Sequence, residues 1–262
     1  MRVIHLSDLH IGRSDNIEKT ERIVNWILNN QDKHRSKVIV ITGDNVNDGA
    51  EWQYQEARNL YRPLWGHGYQ LLIAPGNHDY GPLGVTESRE SARDFKRYLS
   101  GQVDFPHLEI IQQTAFIILD SMKGEIRSVE MWGAEGQIGK VQLQELEKQL
   151  SRLEDDPAVE RVVILLHHHP FDYKKFHVLR DASRLLEVIR GGDQQQPQVQ
   201  AVLFGHKHLD HRFNQPPRNY EKKYGIDLIY AAGSAVERDE EGDLTLPVID
   251  FETMRIERFR IK

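Results

Sequence analysis

Short apolar runs alternate with segments of helical periodicity through the first three quarters of the chain. Runs of four to six aliphatic residues are typical of buried strands, whereas apolar positions three and four residues apart indicate the inner face of a helix. The runs predict strands at 2–6, 37–41, 69–74, 161–166 and 201–204. The periodic segments predict helices at 15–30, 50–62, 88–99, 138–153 and 182–189. Alternating strands and helices favour βαβ units and a parallel sheet.

The remaining segments are less regular. Two paired strands are predicted at 108–111 and 115–119, and Pro63 is expected to stop the second helix. Loops are expected at 120–136, 191–197 and 213–225. The chain is expected to end in antiparallel strands at 227–231, 246–251 and 255–261. The length fits one large domain or two small ones. Since no repeat, low-complexity tract or linker is evident, we expect a single domain over 1–262.

The amino-acid composition excludes or disfavours several classes of partner and of chemistry. The formal net charge is −6, so nucleic acid is a disfavoured partner, although a local basic patch remains compatible with this charge. The chain has no cysteine, which rules out disulfides, thiolate metal sites and cysteine nucleophiles. No apolar run has the length of a membrane span, so no membrane partner is expected. The start of the chain already resembles a strand, and a cytoplasmic protein is expected.

Polar residues with metal-binding side chains follow five of the predicted strands. Because ligands bind at the carboxyl ends of strands in α/β sheets, these distant segments can converge on one site. The clusters are Asp8 and His10; Asp44; Asn77, His78 and Asp79; His167, His168 and His169; and His206 and His208.

Chance accounts for the simplest of these patterns but not for the set. The composition predicts Asp–x–His about once per chain, and the second occurrence, Asp32–Lys33–His34, is assigned no function. By the same count Gly–His–x–His is expected about 0.05 times and Gly–Asn–His–Asp about 0.003 times. The positions of both motifs after strands therefore indicate a functional site.

The ligand types indicate the chemistry. Carboxylate, amide and imidazole donors without sulfur suit Mn, Fe, Zn, Co or Ni better than Ca or Mg alone. Seven candidate ligands, counting one histidine of the triple run and leaving out His78 and Asp79, are too many for one tetrahedral ion but fit two ions that share a carboxylate. A pair of ions about 3.5–4 Å apart forms a clamp for displacement at phosphorus.

The five clusters resemble the five sequence blocks of the calcineurin-like metallophosphoesterases. The matching residues occur in the family's order: Asp8–x–His10, Gly43–Asp44, Gly76–Asn77–His78–Asp79, His168–x–Pro170 and Gly205–His206–x–His208. The helix at 138–153, preceded by Gly136–Gln137, is similar to the bacterial cyclic-nucleotide and glycerophosphodiester phosphodiesterase branch. The resemblance implies a four-layer α-β-β-α sandwich of two mixed sheets flanked by helices, with metals at the carboxyl ends of strands.

The resemblance also implies a role for each matching residue. One metal ion would be held by Asp8, His10, Asp44 and His208, and the other by Asp44, Asn77, His168 and His206. The cofactors would be two transition-metal ions, with Mn, Fe or Zn expected, and a hydroxide between them would be the nucleophile. His78 would contact the phosphoryl oxygen or protonate the leaving group, and Asp79 would orient His78.

Two features depart from the family pattern or leave it ambiguous. Asn45 stands where the family usually has an apolar residue. In the triple histidine, the family ligand precedes the proline by two positions, which selects His168. His167 is then expected to point to the opposite side and His169 to face the rim. Six further residues are candidates for the substrate rim, although an ordinary solvated loop position is the favoured interpretation of each: Arg13, Asn45, Asp120, His169, Asp172 and His177.

The expected activity is hydrolysis of small phosphodiesters of the cyclic-nucleotide or glycerophosphodiester type, with a small phosphoester as the partner molecule. A phosphomonoesterase or a nuclease would use the same ligands, so these alternatives stay open. A non-catalytic scaffold on the same fold is a further alternative, disfavoured because such proteins usually lose metal ligands and all seven are present here.

Overall fold

A computed structural model describes residues 1–84, 88–101, 103–122, 135–171, 179–191 and 199–262. Its strands are β1 (Arg2–Leu6), β2 (Val38–Thr42), β3 (Gln70–Ala74), β4 (His107–Ile111), β5 (Thr114–Ile118), β6 (Arg161–Leu165), β7 (Ala201–Phe204), β8 (His211–Arg212), β9 (Leu228–Ala231), β10 (Leu244–Asp250) and β11 (Arg255–Ile261). Its α-helices are α1 (Asn16–Asn29), α2 (Gln31–His34), α3 (Glu51–Gly66), α4 (Arg89–Phe95), α5 (Lys140–Glu154), α6 (Ala182–Ile189) and α7 (Tyr220–Tyr224).

The strands form two mixed sheets. The first has the order β11-β10-β1-β2-β3, in which β1, β2 and β3 are parallel and β10 and β11 are antiparallel additions. The second has the order β4-β5-β6-β7-β9-β8, with four parallel central strands and an antiparallel strand at each edge. Parallel strands need crossover connections, which explains the helices between the early strands.

Alternation along β6 shows how the layers pack. Val163 and Leu165 belong to the core that the two sheets share, whereas Val162 and Ile164 belong to a second core with α5 and α6. Successive side chains of a strand point to opposite faces, so one wholly apolar strand can serve two cores. α1 and α3 cover the outer face of the first sheet through residues such as Ile23 and Tyr54. The expected α-β-β-α sandwich is confirmed.

The prediction that Pro63 ends the second helix is wrong. α3 continues through Pro63 to Gly66. A proline in a helix cannot donate to the carbonyl four residues back, which here belongs to the exposed residue Asn59. Leu64 is 1% exposed and extends the buried face formed by Ala57 and Tyr61, so packing offsets the missing hydrogen bond.

Three other predictions need correction. The helix expected over 88–99 is α4 followed by a π-helical turn at Lys96–Ser100. The loop expected over 213–225 contains α7, which Asn219 caps by accepting from the amide of Lys222. The final strands are not all antiparallel, because β9 pairs in parallel with β7. No helix within the described ranges is both long and apolar enough to span a membrane.

Two substitutions on α5 test the assignment of its buried face. Leu146 is fully buried, so Leu146→Ala should lower the free energy of unfolding by about 2–5 kcal/mol through lost contacts and a cavity. Val141 on the same helix is 76% exposed, and Val141→Ala should change it by less than about 0.5 kcal/mol. Urea denaturation followed by circular dichroism measures both, and equal effects would contradict the assignment.

Candidate metal centre

The polar clusters converge where strand ends of the two sheets meet. Close backbone approach makes this possible, since the amide of Asp8 donates to Gly43 O (3.1 Å) and that of Ala235 to Ser7 O (2.9 Å). A Cβ atom at Gly205 would lie 1.8 Å from Ser7 Oγ, and one at Gly76 would lie 2.3 Å from an oxygen of Asp44. Only glycine fits at these two positions, which seat β7 against β1 and β3 against β2.

The first cluster contains Asp8, His10 and His208. The Nε2 atoms of His10 and His208 lie 3.2 Å apart, and His208 Nε2 lies 3.6 Å from Asp8 Oδ1. Asp8 Oδ1 is buried and has no hydrogen-bond partner among the described residues. Two ligands about 2.1 Å from one ion are separated by about 3.0–3.6 Å when the angle at the ion is about 90–120°, so the cluster has the spacing of a metal site.

The second cluster is centred on His167 and Asp44. His167 Nε2 lies 3.2 Å from Asp44 Oδ2, 3.0 Å from Asn77 Oδ1 and 3.1 Å from His206 Nδ1. Asp44 Oδ2 is also 3.8 Å from His10 Nε2. One oxygen of Asp44 therefore faces both clusters, as the sequence predicts for a shared carboxylate.

The triple histidine differs from the expectation. His167, expected to point away, is the residue beside Asp44, and its Nδ1 lies 2.7 Å from Thr42 O. His168, expected to take this position, directs Nδ1 to Ser121 Oγ at 2.8 Å, although its ring lies 4.4 Å from that of His206. The side-chain alternation of β6 continues past its end, so His167 shares the inward face of Leu165.

The backbone at the clusters adopts an unfavourable conformation. Five predicted ligands have positive φ angles: Asp8 (53°), His10 (43°), Asp44 (51°), His206 (78°) and His208 (51°). Such angles are uncommon for residues other than glycine, and each costs about 1–3 kcal/mol. They turn the chain sharply at each strand end, which brings the ligand atoms together.

The two predicted catalytic residues are not in the expected contact. His78 lies beside His10, with ring centres 4.7 Å apart, and its Nδ1 is 2.7 Å from Asn47 O. The Asp79 carboxylate instead accepts from the backbone amides of Val46 (3.0 Å) and Gly76 (2.8 Å). The Asn47 carbonyl, rather than Asp79, therefore orients the His78 ring.

Asn45 completes the surroundings of Asp79. Its Nδ2 donates to Asp79 Oδ2 at 3.0 Å, and its Oδ1 accepts from Tyr61 Oη at 3.2 Å. All three side chains are almost fully buried. The polar departure at Asn45 is thus satisfied by hydrogen bonds. The network ties the loop after β2 to the loop after β3, and these loops carry Asp44 and Asn77.

The titratable side chains of the two clusters differ in their pKa values and therefore in their charge. Burial would raise the pKa of Asp44, but the rings of His167, His10 and His78 outweigh burial and hold it well below its usual value. Burial also opposes protonation of His167, yet Asp44 raises its pKa to about 9. Burial lowers the pKa of His10 to about 4, so this imidazole is neutral, the form that binds metals.

The suggested rim residues have different environments. His169 is 2% exposed and packs edge-on against Phe204, with ring centres 4.6 Å apart, so it does not face the rim. Asp120 is buried and accepts from Tyr80 Oη at 3.0 Å. Arg13 is exposed and lines a cavity beside His10 and His208. Asp172 and His177 lie outside the described residues.

Sequence reasoning missed Glu237, whose Oε1 lies 2.5 Å from His208 Nδ1. Carboxylates commonly accept this second ring N–H of a metal-binding histidine and fix its orientation. No sequence signal marks Glu237, since it begins the charged run Glu237–Glu241, which resembles an ordinary solvated loop. Its location fits a metal-binding role for His208.

Comparison with known sequences identifies the family to which the chain belongs. A model of the calcineurin-like phosphoesterase family matches residues 1–210. The chain belongs to this family, and the resemblance inferred from the five sequence blocks is confirmed. Family membership supports a phosphoric ester hydrolase, and the Asp and His clusters suggest divalent metal ions.

Two similar proteins of named activity and one solved structure show how far the similarity extends along the chain. A probable cyclic nucleotide phosphodiesterase of Vesicomyosocius okutanii is 23% identical over 246 residues, covering 91% of this chain and 88% of the relative. The 3′,5′-cyclic adenosine monophosphate phosphodiesterase CpdA of Escherichia coli K12 is 24% identical, covering 80% and 70%. A dimetal phosphatase from Danio rerio superposes with a TM-score of 0.61 at 15% identity, covering 100% and 98%, which establishes the shared fold.

The buried network around Asp79 can be tested by a double-mutant cycle. Asn45→Leu should lower the free energy of unfolding by about 1–3 kcal/mol, because it removes one of the hydrogen bonds to Asp79 Oδ2 and leaves Tyr61 Oη without its acceptor. Tyr61→Phe should cost about 0.5–1.5 kcal/mol. The double variant should lose less than the sum, as expected of residues in contact. Strictly additive losses in urea denaturation would contradict the direct hydrogen bond.

Proposed function

We propose that the protein is a metal-dependent phosphodiesterase that hydrolyses small phosphodiesters of the cyclic-nucleotide or glycerophosphodiester type. The observation that carries the proposal is the position of Asp44 Oδ2 between two ligand clusters, 3.2 Å from His167 and 3.8 Å from His10. Similarity to the two relatives named as cyclic-nucleotide phosphodiesterases supports a small phosphodiester as the substrate. The net charge of −6 favours a small substrate over duplex nucleic acid.

The proposed ligands form two sets that share Asp44. The first set is Asp8, His10, Asp44 and His208; the second set is Asp44, Asn77, His167 and His206. His167 replaces His168 in the second set, because its Nε2 meets Asp44, Asn77 and His206 within 3.2 Å. Oxygen and imidazole donors suit Mn, Fe or Zn.

When bound, two such ions supply charge stabilisation at the phosphoryl oxygens and a nucleophile available near neutral pH. The residues of the chain have complementary tasks. Asn47 O holds Nδ1 of His78, which fixes the ring beside His10 and leaves Nε2 to contact a phosphoryl oxygen or to protonate the leaving group. The Glu237 carboxylate accepts a hydrogen bond from Nδ1 of His208 and so fixes the orientation of that ring.

Turnover tests the proposal directly. Protein loaded with Mn²⁺, Fe²⁺, Zn²⁺ or Co²⁺ should hydrolyse bis-p-nitrophenyl phosphate, and it should hydrolyse this diester faster than p-nitrophenyl phosphate. Asp44→Asn should lower kcat/KM by more than about 100-fold, since outer-shell changes alone cost about 10–100-fold. Asp32→Asn, in the unassigned Asp–x–His triplet, is the matched control. Inactivity with all four metals would refute the proposal, and a preference for the monoester would refute its diesterase part.

Metal content separates the two histidine assignments. His167→Asn should reduce the bound metal from about two ions to about one, because it removes a donor from the second set. His168→Asn should retain both ions, since His168 is not in the proposed second set and its Nδ1 contacts Ser121 Oγ. Inductively coupled plasma mass spectrometry after gel filtration gives the stoichiometry, and circular dichroism verifies folding. The reverse pattern would restore the assignment to His168.

A further inference from the structure

A cavity of about 360 Å³ opens beside the first ligand cluster. Two of its walls are formed by the segment at the start of α1 and by the loop after β9, and His10 and His208 complete its lining. The volume lies at the lower end of the range of about 300–1,000 Å³ for small-molecule sites. A substrate whose phosphoryl group sits at the ligand clusters can therefore extend into this space.

The cavity contains three cationic and two acidic side chains, and the acidic ones are engaged. Asp15 forms an ion pair with Lys19 at 3.0 Å, and Glu237 accepts from His208. Among the described residues, Arg13 and Arg238 form no ion pair, and Arg238 donates only to Gly242 O at 2.6 Å. Two exposed guanidinium groups thus remain available to a ligand.

The backbone at the start of α1 adds a partial positive charge to that of the two arginines. α1 begins at Asn16 in the cavity wall, and the start of a helix carries a partial positive charge that favours anions. Arginine binds phosphate or carboxylate through paired N–H groups. Although the whole chain is acidic, this region next to the ligand clusters is suited to a negatively charged group.

We propose that this cavity is a specificity subsite for substrates with a second anionic group, such as a terminal phosphate, on the part of the phosphodiester remote from the scissile bond. Arg13 and Arg238 would bind that group. This inference rests on the proposed phosphodiesterase function and adds the substrate class to it.

A matched pair of dinucleotides tests the subsite. Diadenylate with a 5′-terminal phosphate should be hydrolysed with a kcat/KM about three- to tenfold higher than diadenylate without it. Arg13→Gln and Arg238→Gln should each reduce this ratio, and the double variant should bring it close to one. Raising NaCl to 0.5 M should also reduce the ratio, because the groups are exposed and salt screens them.

Arg152→Gln removes the same charge from an exposed site on α5 and should leave the ratio unchanged. Calorimetric titration of both dinucleotides in EDTA repeats the comparison without turnover. A wild-type ratio near one, or equal losses on both dinucleotides in the arginine variants, would overturn the subsite. Failure of the proposed function is distinct, since it would appear as inactivity on bis-p-nitrophenyl phosphate, and the titration would still test the subsite.

Discussion

The structure depends on one buried carboxylate at the junction of its two sheets. Asp44 follows β2 of the first sheet, accepts from the amide of His78 through Oδ1, and faces His167 from the second sheet through Oδ2. Burial alone would favour a protonated carboxyl, but the surrounding imidazoles stabilise the charged form. Without metal, the Asp44–His167 contact is an ion pair. In the proposed enzyme, a cation bound between the clusters would take over the role of the His167 proton, so folding and metal binding would use the same side chains.

The turns that carry the proposed ligands at this junction have an unfavourable backbone conformation, and hydrogen bonds from neighbouring residues stabilise it. Five predicted ligands lie in the left-handed region, and the close approach at Gly205 leaves no space for a side chain. Asp79 compensates by accepting two backbone amides and the side chain of Asn45. Asp79 is expected from the sequence to orient His78, but its carboxylate instead holds the loop after β2 against the loop after β3. A ligand set on strained turns needs such support, because relaxation of one turn would displace its donor atom.

The apolar pattern predicted most strands and helices, since the central strands of both sheets are buried along almost their whole length. It could not decide between His167 and His168, because β6 is apolar on both faces and alternation does not reveal which face meets the other sheet. The helix end predicted at Pro63 is wrong because Leu64, the next residue, is buried and keeps the last turn of α3 packed against the core. The contact of Glu237 with His208 joins residues 29 positions apart in loops, where no periodicity operates.

In the proposed enzyme, the two sides of the His208 ring have separate roles: one side faces the proposed metal ligands, and the other faces the loop that lines the cavity. On one side, the His208 ring faces Asp8 and His10, two almost fully buried residues that follow β1. Its other side meets Glu237 in an exposed loop that also carries Arg238 and lines the cavity. Substitutions in that loop can alter which groups the cavity accepts without moving a strand. Loops carried by a rigid scaffold are where such specificity usually resides. The acidic partner of His208 limits this freedom, since loss of Glu237 would also release the His208 ring.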